Sequence, residues 1–550
     1  MNSAVRQFLA RARSRWPTTI PCRSDVRFSF AVSALWLALY NITFWQHTAQ
    51  AMWRPSFNTI AFLASLAILV LCLQALLLLL MPTRWLMRAA ASLLTVIAAL
   101  TSYFIREYGA IMNKDMLRNV LGTDAAEVGD LLNLDLVLYV LLLGLVPAWL
   151  VWRVSLPSVT AARQLQQRVI GTIAALILAG CSVIGFSAQY AVYFRAHKPI
   201  RYELSPSAPV ISAVQVLIGM SAGSSSGSFK DLGGMAKRIG AGRTKPTVLF
   251  IVIGEAARAA NFQLGGYDRP TTPRLASMKE VVYFSDVSAC DTSTATSVPC
   301  MFSPLGRSRF DVDESSHIAN LLDSLGDAGF AVEWRENNAG CKGVCDRVRT
   351  VRYDTNAGGP LCEHSYCYDE IMLEGLDAHI RGLTTDTAIV FHQIGSHGPA
   401  YWQRYPAALE RFKPACRSNE LHTCSEQQLI NAYDNTVAYT DHILSRQIEI
   451  LRSAAESVDS LLLYVSDHGE SLGENGMYLH GIPYSFAPRV QKHVPMLMWA
   501  SDGYVARTHL DTQCLRRRSA GSISHDNLYH TLLGAAEVYD AVYQPKLDLL

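Results

Sequence analysis

The sequence predicts an α-helical membrane domain of five spans followed by an α/β domain on a mainly parallel sheet. Three observations predict it. The 550 residues are 50% hydrophobic and only 17% charged, where a soluble globular chain carries roughly 25% charge. The apolar residues crowd into five long stretches in the first third and then stop. Beyond about Lys245, short apolar runs ending in polar or Gly-rich turns alternate with helical patterns, the pattern of an α/β domain. These figures exclude a disordered chain, a collagen-like fibre and a small disulfide-stapled scaffold. A formal net charge of +2 gives no case for a nucleic-acid partner.

The five stretches cover 28–45, 57–81, 89–105, 134–152 and 169–186, each near the roughly 20 residues that cross a hydrocarbon core. A run such as Leu76 to Leu80 leaves no polar face, which argues against buried core helices. Asn41 and Gln74 interrupt the apolar surface and are expected to face neighbouring helices. Arg6, Arg11, Arg13, Arg15, Arg23 and Arg27 precede the first span, and Arg84, Arg88, Arg153, Arg163 and Arg168 fall in loops on the same side. The opposite loops hold only Arg54, Arg106, Lys114 and Arg118. The basic bias puts the N-terminus inside and everything after Phe186 outside. No small-residue cleavage site follows the first apolar run, so it reads as an uncleaved anchor.

An amphipathic stretch at 200–220 leads into a Ser/Gly-rich segment at 221–228, a flexible linker by composition. The predicted organisation is a membrane domain at 1–220, a linker at 221–245 and an outer α/β domain at 246–550. Within the last, strands are expected at 248–253, 388–393 and 461–465, and helices at 318–328 and 429–452. Nine of the 12 cysteines lie there, eight as close pairs: Cys290/Cys300, Cys341/Cys345, Cys362/Cys367 and Cys416/Cys424. Outside the membrane local disulfides are favoured; in a reducing compartment the middle two pairs would read as a four-thiolate zinc site. Cys514 is left over.

In open α/β sheets ligands bind at the carboxyl ends of the strands. Glu255 follows the first strand, His397 a middle one and Asp467-His468 a late one. Carboxylate oxygens and imidazole nitrogens together suit zinc. The fourth ligand should be a nucleophilic hydroxyl, because a metal lowers its pKa. The candidate segment runs from Cys290 to Cys300 and is rich in Ser and Thr. It can open a helix whose N-terminus offers free N–H groups to a phosphate, and Thr292 is placed to begin it.

Gly254-Glu255, Cys290-Asp291-Thr292, the 340–346 segment with its two cysteines, Gly395-Ser396-His397-Gly398-Pro399, the 466–475 segment and Leu479-His480-Gly481 together resemble the motifs of the membrane phosphoethanolamine transferases. These are lipid A-modifying enzymes of Gram-negative bacteria, a group that includes the mobile colistin-resistance proteins. The resemblance spans nearly the whole chain. It implies an alkaline-phosphatase/sulfatase-like periplasmic domain on a multi-pass inner-membrane protein. Carried over by motif, it implies that Glu255, Thr292, Asp467 and His468 bind a catalytic Zn2+, with Thr292 as nucleophile. His397 and His480 would lie near the phosphoethanolamine group or a second zinc and serve as acid or base. Asn338 and Lys342 would contact the bound phosphate, and Glu470 would lie beside the metal. Asn119, Thr123 and Glu127 resemble the family's membrane-side substrate segment, whose bland reading is an interfacial helix.

The implied reaction takes phosphoethanolamine from phosphatidylethanolamine, through a phosphothreonine intermediate, to lipid A of lipopolysaccharide. Transfer lowers surface negative charge and weakens binding of polymyxin-type cationic peptides. Kdo, core heptose and periplasmic glucans are alternative acceptors, and a sulfatase- or phosphatase-type hydrolase is a further alternative. The Cys/Ser-x-Pro-x-Arg motif of sulfatases is missing around Thr292. Lipoteichoic-acid synthases share the spans and the threonine, but are not expected to carry these cysteine pairs. Three positions depart from the family pattern: Asp291 replaces a glycine, and Ala256 and Ala257 replace hydroxyl residues. An added carboxylate beside a phosphodiester is unfavourable unless offset.

Overall fold

The structure is a computed structural model that describes residues 19–52, 56–122, 125–223, 229–238, 244–353, 355, 359–363 and 366–550. Contacts divide the chain into two compact units, Met1–Asn113 with Asn133–Val214, and Lys114–Leu132 with Gln215–Leu550.

The first unit is helical. Helices Phe57–Leu79, Arg84–Tyr108, Leu134–Trp152 and Ala161–Gly185 are each long and apolar enough to cross a membrane. Ser56, Thr83, Asn133 and Thr160 cap them, each side-chain oxygen accepting an N–H of the first turn. The segment read as an unbroken first span is two helices, Asp25–Leu39 and Ile42–Met52, bent by 67° and counting as a fifth span when taken together. The break falls at Asn41, and the cause is polar. Its Nδ2 donates to Trp36 O at 2.9 Å and Ser205 O at 2.7 Å, while its Oδ1 accepts from Ser205 N at 2.9 Å. Gln74 Nε2 reaches the same Ser205 carbonyl at 3.0 Å. Both internal amides therefore face neighbouring segments, as expected. The 200–220 stretch is a 3-10 turn, Lys198–Glu203, followed by helix Ser207–Gly223.

The second unit is an α/β domain around an eight-stranded sheet. Its strands are β1 Thr247–Gly254, β2 Val282–Ser288, β3 Ala331–Glu336, β4 Arg349–Arg352, β5 Thr387–His392, β6 Asp459–Ser466, β7 His493–Ala500 and β8 Ser522–Ser524. They lie in the order β8-β2-β7-β6-β1-β5-β3-β4. Only β7 runs antiparallel to its neighbours. β1 is buried along its whole length, so its near-continuous apolar run is what a central parallel strand requires. Leu249, Ile251 and Ile253 enter the core on one face, and Val248, Phe250 and Val252 that on the other. Helix Glu426–Ser453 covers the second face and opens with a reciprocal cap between Ser425 and Gln428. The helix expected at 318–328 begins later, at Leu321, where Asn320 supplies the cap.

All four predicted cysteine pairs are joined as disulfides, which removes the four-thiolate zinc reading. Among the described residues Cys22, Cys72, Cys181 and Cys514 are free.

Candidate active site

Four adjacent parallel strands, β6, β1, β5 and β3, end at the same edge of the sheet. Asp467-His468, Glu255, His397 and Asn338 follow them in that order. The β5 exit loop lies directly on the β1 exit. Gly395 adopts φ 48°, and a Cβ there would stand 2.9 Å from Glu255 N and O, so the close approach requires glycine.

Ligand atoms of Glu255, Asp467 and His468 all lie within 4.8 Å of one another, and all three side chains are buried. His468 Nδ1 bonds Gly469 O at 2.9 Å. That turns Nε2 toward the carboxylates, 3.4 Å from Glu255 Oε1 and 3.3 Å from Asp467 Oδ2. Neither of these two oxygens has a hydrogen-bond partner. Burial and the charge on Glu255 push the Asp467 carboxyl above its ordinary value. Burial also pushes Glu255 up, but the imidazoles of His468, His397 and His480 outweigh it and hold that carboxyl low. Two buried carboxylates with orphaned oxygens beside an imidazole lone pair fit a bound cation, and the O, O, N donor set suits zinc.

The hydroxyl that completes this cluster is that of Thr294. Its Oγ1 donates to Glu255 Oε2 at 3.0 Å and lies 3.2 Å from His468 Nε2. Thr294 is the first residue of helix Thr294–Met301, with Ser293 at the cap. Thr292 is not brought there: its Oγ1 donates to Ile482 O at 2.5 Å, and its carbonyl accepts from Gly481 N at 2.8 Å. The expected helix start was two residues early. Thr292 instead pins the 290–294 loop to the segment following His480. The Asp291 carboxylate folds back on Thr292 N at 2.6 Å, and burial pushes it above its ordinary value. Ala256 and Ala257 present backbone N–H groups to Asp467 Oδ1 at 3.2 Å and Ser466 Oγ at 2.8 Å, so the loss of hydroxyls leaves the ligand set intact.

A ring of supporting groups surrounds the cluster. Asn338 Nδ2 donates to Glu255 Oε2 at 2.9 Å and Gln393 O at 3.0 Å. His480 Nδ1 meets Glu470 Oε2 at 2.8 Å, and Tyr401 OH donates to Glu470 Oε1 at 2.6 Å. Burial pulls the His480 pKa down, but Glu470 overcomes it and raises the value to about 9. The His480 ring lies 4.2 Å from that of His468 and 5.9 Å from that of His397. Ligand atoms of Glu255, His397 and His480 form a second close group. Lys342 sits at φ 52° and donates from Nζ to Ala339 O at 2.7 Å. Asn119 Nδ2 would stand 3.4 Å from a Cβ at Gly481, which puts it beside the His480 segment. Thr123 and the side chain of Glu127 lie outside the described residues.

Two supports have no counterpart in the sequence reading. His392 Nδ1 lies 3.0 Å from Glu336 Oε1, which also accepts from Asn338 N at 2.8 Å, so this pair braces the loop that holds Glu255. His525 accepts from Cys290 N at Nδ1 (3.0 Å) and bonds Ser466 O through Nε2 (3.0 Å). It thereby ties the loop beginning at Cys290 to the end of β6. Burial lowers its pKa to about 3, so it works as a neutral imidazole.

The family model described as Sulfatase matches residues 246–538, and that described as Phosphoethanolamine transferase EptA/EptB matches residues 69–219. Phosphoethanolamine transferase EptA of Salmonella typhimurium is 37% identical, over 94% of this chain and 96% of its own. Phosphatidylethanolamine transferase Mcr-1 of Escherichia coli is 36% identical, over 92% and 94%. The solved integral membrane lipooligosaccharide phosphoethanolamine transferase A of Neisseria meningitidis superposes with a TM-score of 0.92 at 32% identity, over 96% of this chain and 99% of that one. With this site on this sheet, and likeness along nearly its full length, the chain belongs to the phosphoethanolamine transferase family.

Proposed function

We propose that the protein transfers phosphoethanolamine from phosphatidylethanolamine to lipid A, using zinc and a covalent intermediate on Thr294. It is an inner-membrane enzyme whose catalytic domain faces the periplasm, with the disulfides and the apolar helices supporting that placement. The observation that carries the reading is the Thr294 hydroxyl, at a helix N-terminus and in contact with both Glu255 and His468.

Glu255, Asp467 and His468 would hold the metal, which when bound lowers the pKa of the hydroxyl and offsets phosphoryl charge. Thr294 Oγ, its proton already lost to solvent at the lowered pKa, forms a bond to the donor phosphorus as the bond to the diacylglycerol oxygen breaks. His480, held protonated by Glu470, gives the leaving oxygen its proton from Nε2. The N–H groups at the start of helix Thr294–Met301 face the phosphoryl oxygens. The acceptor oxygen then attacks the phosphothreonine, returns a proton to His480 and frees Thr294. Asn338 orients Glu255, and Lys342 and His397 supply positive charge or protons around the ethanolamine phosphate.

Mass spectrometry of lipid A and core from cells with wild type or Asp467→Ala tests this. Wild type adds one phosphoethanolamine to lipid A and the variant adds none. An adduct confined to core sugar or glucan would replace the acceptor, and an active Asp467→Ala protein would reject the metal assignment.

A further inference from the structure

The segment Lys114–Leu132 lies in the chain among the membrane helices, yet it packs within the catalytic unit. One buried cation joins it to the site. Arg404 has a fully buried side chain, and its Nη2 donates to Asp130 Oδ2 at 2.7 Å. Asp130 belongs to helix Ala125–Leu131. On its other side Arg404 Nε donates to the backbone carbonyl of His397 at 2.9 Å. The Tyr366 ring lies 4.1 Å from the guanidinium carbon. Asn419 Nδ2, in the loop closed by Cys416–Cys424, donates to Asp130 O at 2.8 Å and fixes the same helix turn. Among the described residues Asp130 is the one carboxylate paired with Arg404.

A buried guanidinium without its carboxylate is costly, whereas the bonded pair is tolerable. The planar fork also fixes directions, so one end cannot move without the other. We propose that Arg404 and Asp130 form a latch that makes the placement of His397 depend on docking of the 114–131 segment. Arg404 is thus a positioning residue, acting through the His397 backbone. The same segment places Asn119 beside Gly481 and His480. When the segment docks, Asn119 and His397 reach the site together; when it leaves, Arg404 loses its counter-charge and the His397 loop loosens. The kinetic consequence rests on the transferase reading, while the structural coupling does not.

The test uses the full-length protein in detergent micelles containing phosphatidylethanolamine. Hydrogen exchange is followed in peptides covering 125–131 and 395–398, beside kcat and KM for diacylglycerol release. Asp130→Asn should loosen both peptides together and lower kcat/KM roughly 10- to 100-fold, with the exchange of β1 and β6 unchanged. Arg404→Lys should do the same, because a point charge cannot span both partners. The double variant Asp130→Leu/Arg404→Met relieves the unpaired buried charge but offers no donor to the His397 carbonyl, so protection should return at 125–131 and stay lost at 395–398; full protection at 395–398 would overturn the latch. Wild-type protection at 395–398 in Asp130→Asn, or loosening confined to 125–131, would overturn the latch. Coupled exchange in a protein that releases no diacylglycerol would leave the latch standing and reject the transferase reading.

Discussion

At the scale of single residues, the division of labour between Thr292 and Thr294 is the point to test. Thr294→Ala removes the hydroxyl that contacts Glu255 and His468, and transfer should fall at least about 10⁴-fold. Thr292→Ala loses one hydrogen bond to Ile482 O, worth about 0.5–1.5 kcal/mol, and activity should stay within about tenfold of wild type. Incubation with donor alone should place one phosphoethanolamine on Thr294 in a peptide spanning Cys290–Cys300, and fragmentation locates it. An adduct on Thr292 would reverse the assignment. Glu255, Asp467 and His468 were legible because each directly follows an apolar strand run. Thr294 was not, because Thr292, Ser293, Thr294 and Thr296 are chemically alike and only the helix start separates them. His525 was invisible, since its partners are the backbone of Cys290 and Ser466. It supplies a second test. Burial holds its pKa at about 3, below the ordinary 6.5, so between these values the unfolded chain binds the extra proton. Stability from this group is therefore present above about pH 6.5 and lost as pH falls, at about 1.4 kcal/mol per unit. Thermal unfolding from pH 7 to 5 should fall more steeply for wild type than for His525→Gln, and parallel curves would remove His525 from that role.

At the scale of elements, apolar runs revealed the central strands and the spans, but not where a span bends. The pattern across 28–45 is mainly apolar, with the small hydroxyls Ser29, Ser33 and Thr43 scattered along it, and Asn41 marks the break. A lone Asn in a span reads equally as a packing contact, and its partner Ser205 lies 164 residues away. Asn41→Leu should leave the Ser205 N–H and part of its carbonyl's bonding unsatisfied, at about 1–3 kcal/mol for each buried group. Thermal unfolding of the purified protein in detergent should register that loss, with metal content unchanged. An unaltered transition would mean that the bend is held by packing alone. The antiparallel direction of β7 is likewise not legible in the sequence, because burial on both faces erases the alternation that distinguishes the two directions.

At the scale of the whole molecule, topology rests on the basic bias and on cysteine usage, and the free thiols test both at once. Cys22 lies before the first span and Cys514 in the catalytic domain. A membrane-impermeant maleimide added to cells with a permeabilised outer membrane should label Cys514 and leave Cys22 until the inner membrane is opened. The reverse pattern would invert the protein. The sheet order also has a consequence for biosynthesis. β1 pairs with β6, and 211 residues separate Ala256 from Asp467 across that junction. At roughly 5–20 residues per second the second strand emerges about 10–40 s after the first. The disulfides close loops of only 4 to 10 residues and need not wait. A nascent chain thus passes through a long interval in which it is already cross-linked, yet keeps one edge of its central strand β1 unpaired and has no place for a metal. Export of this enzyme should accordingly draw on periplasmic holding chaperones, and metal should be captured only after synthesis has passed His468.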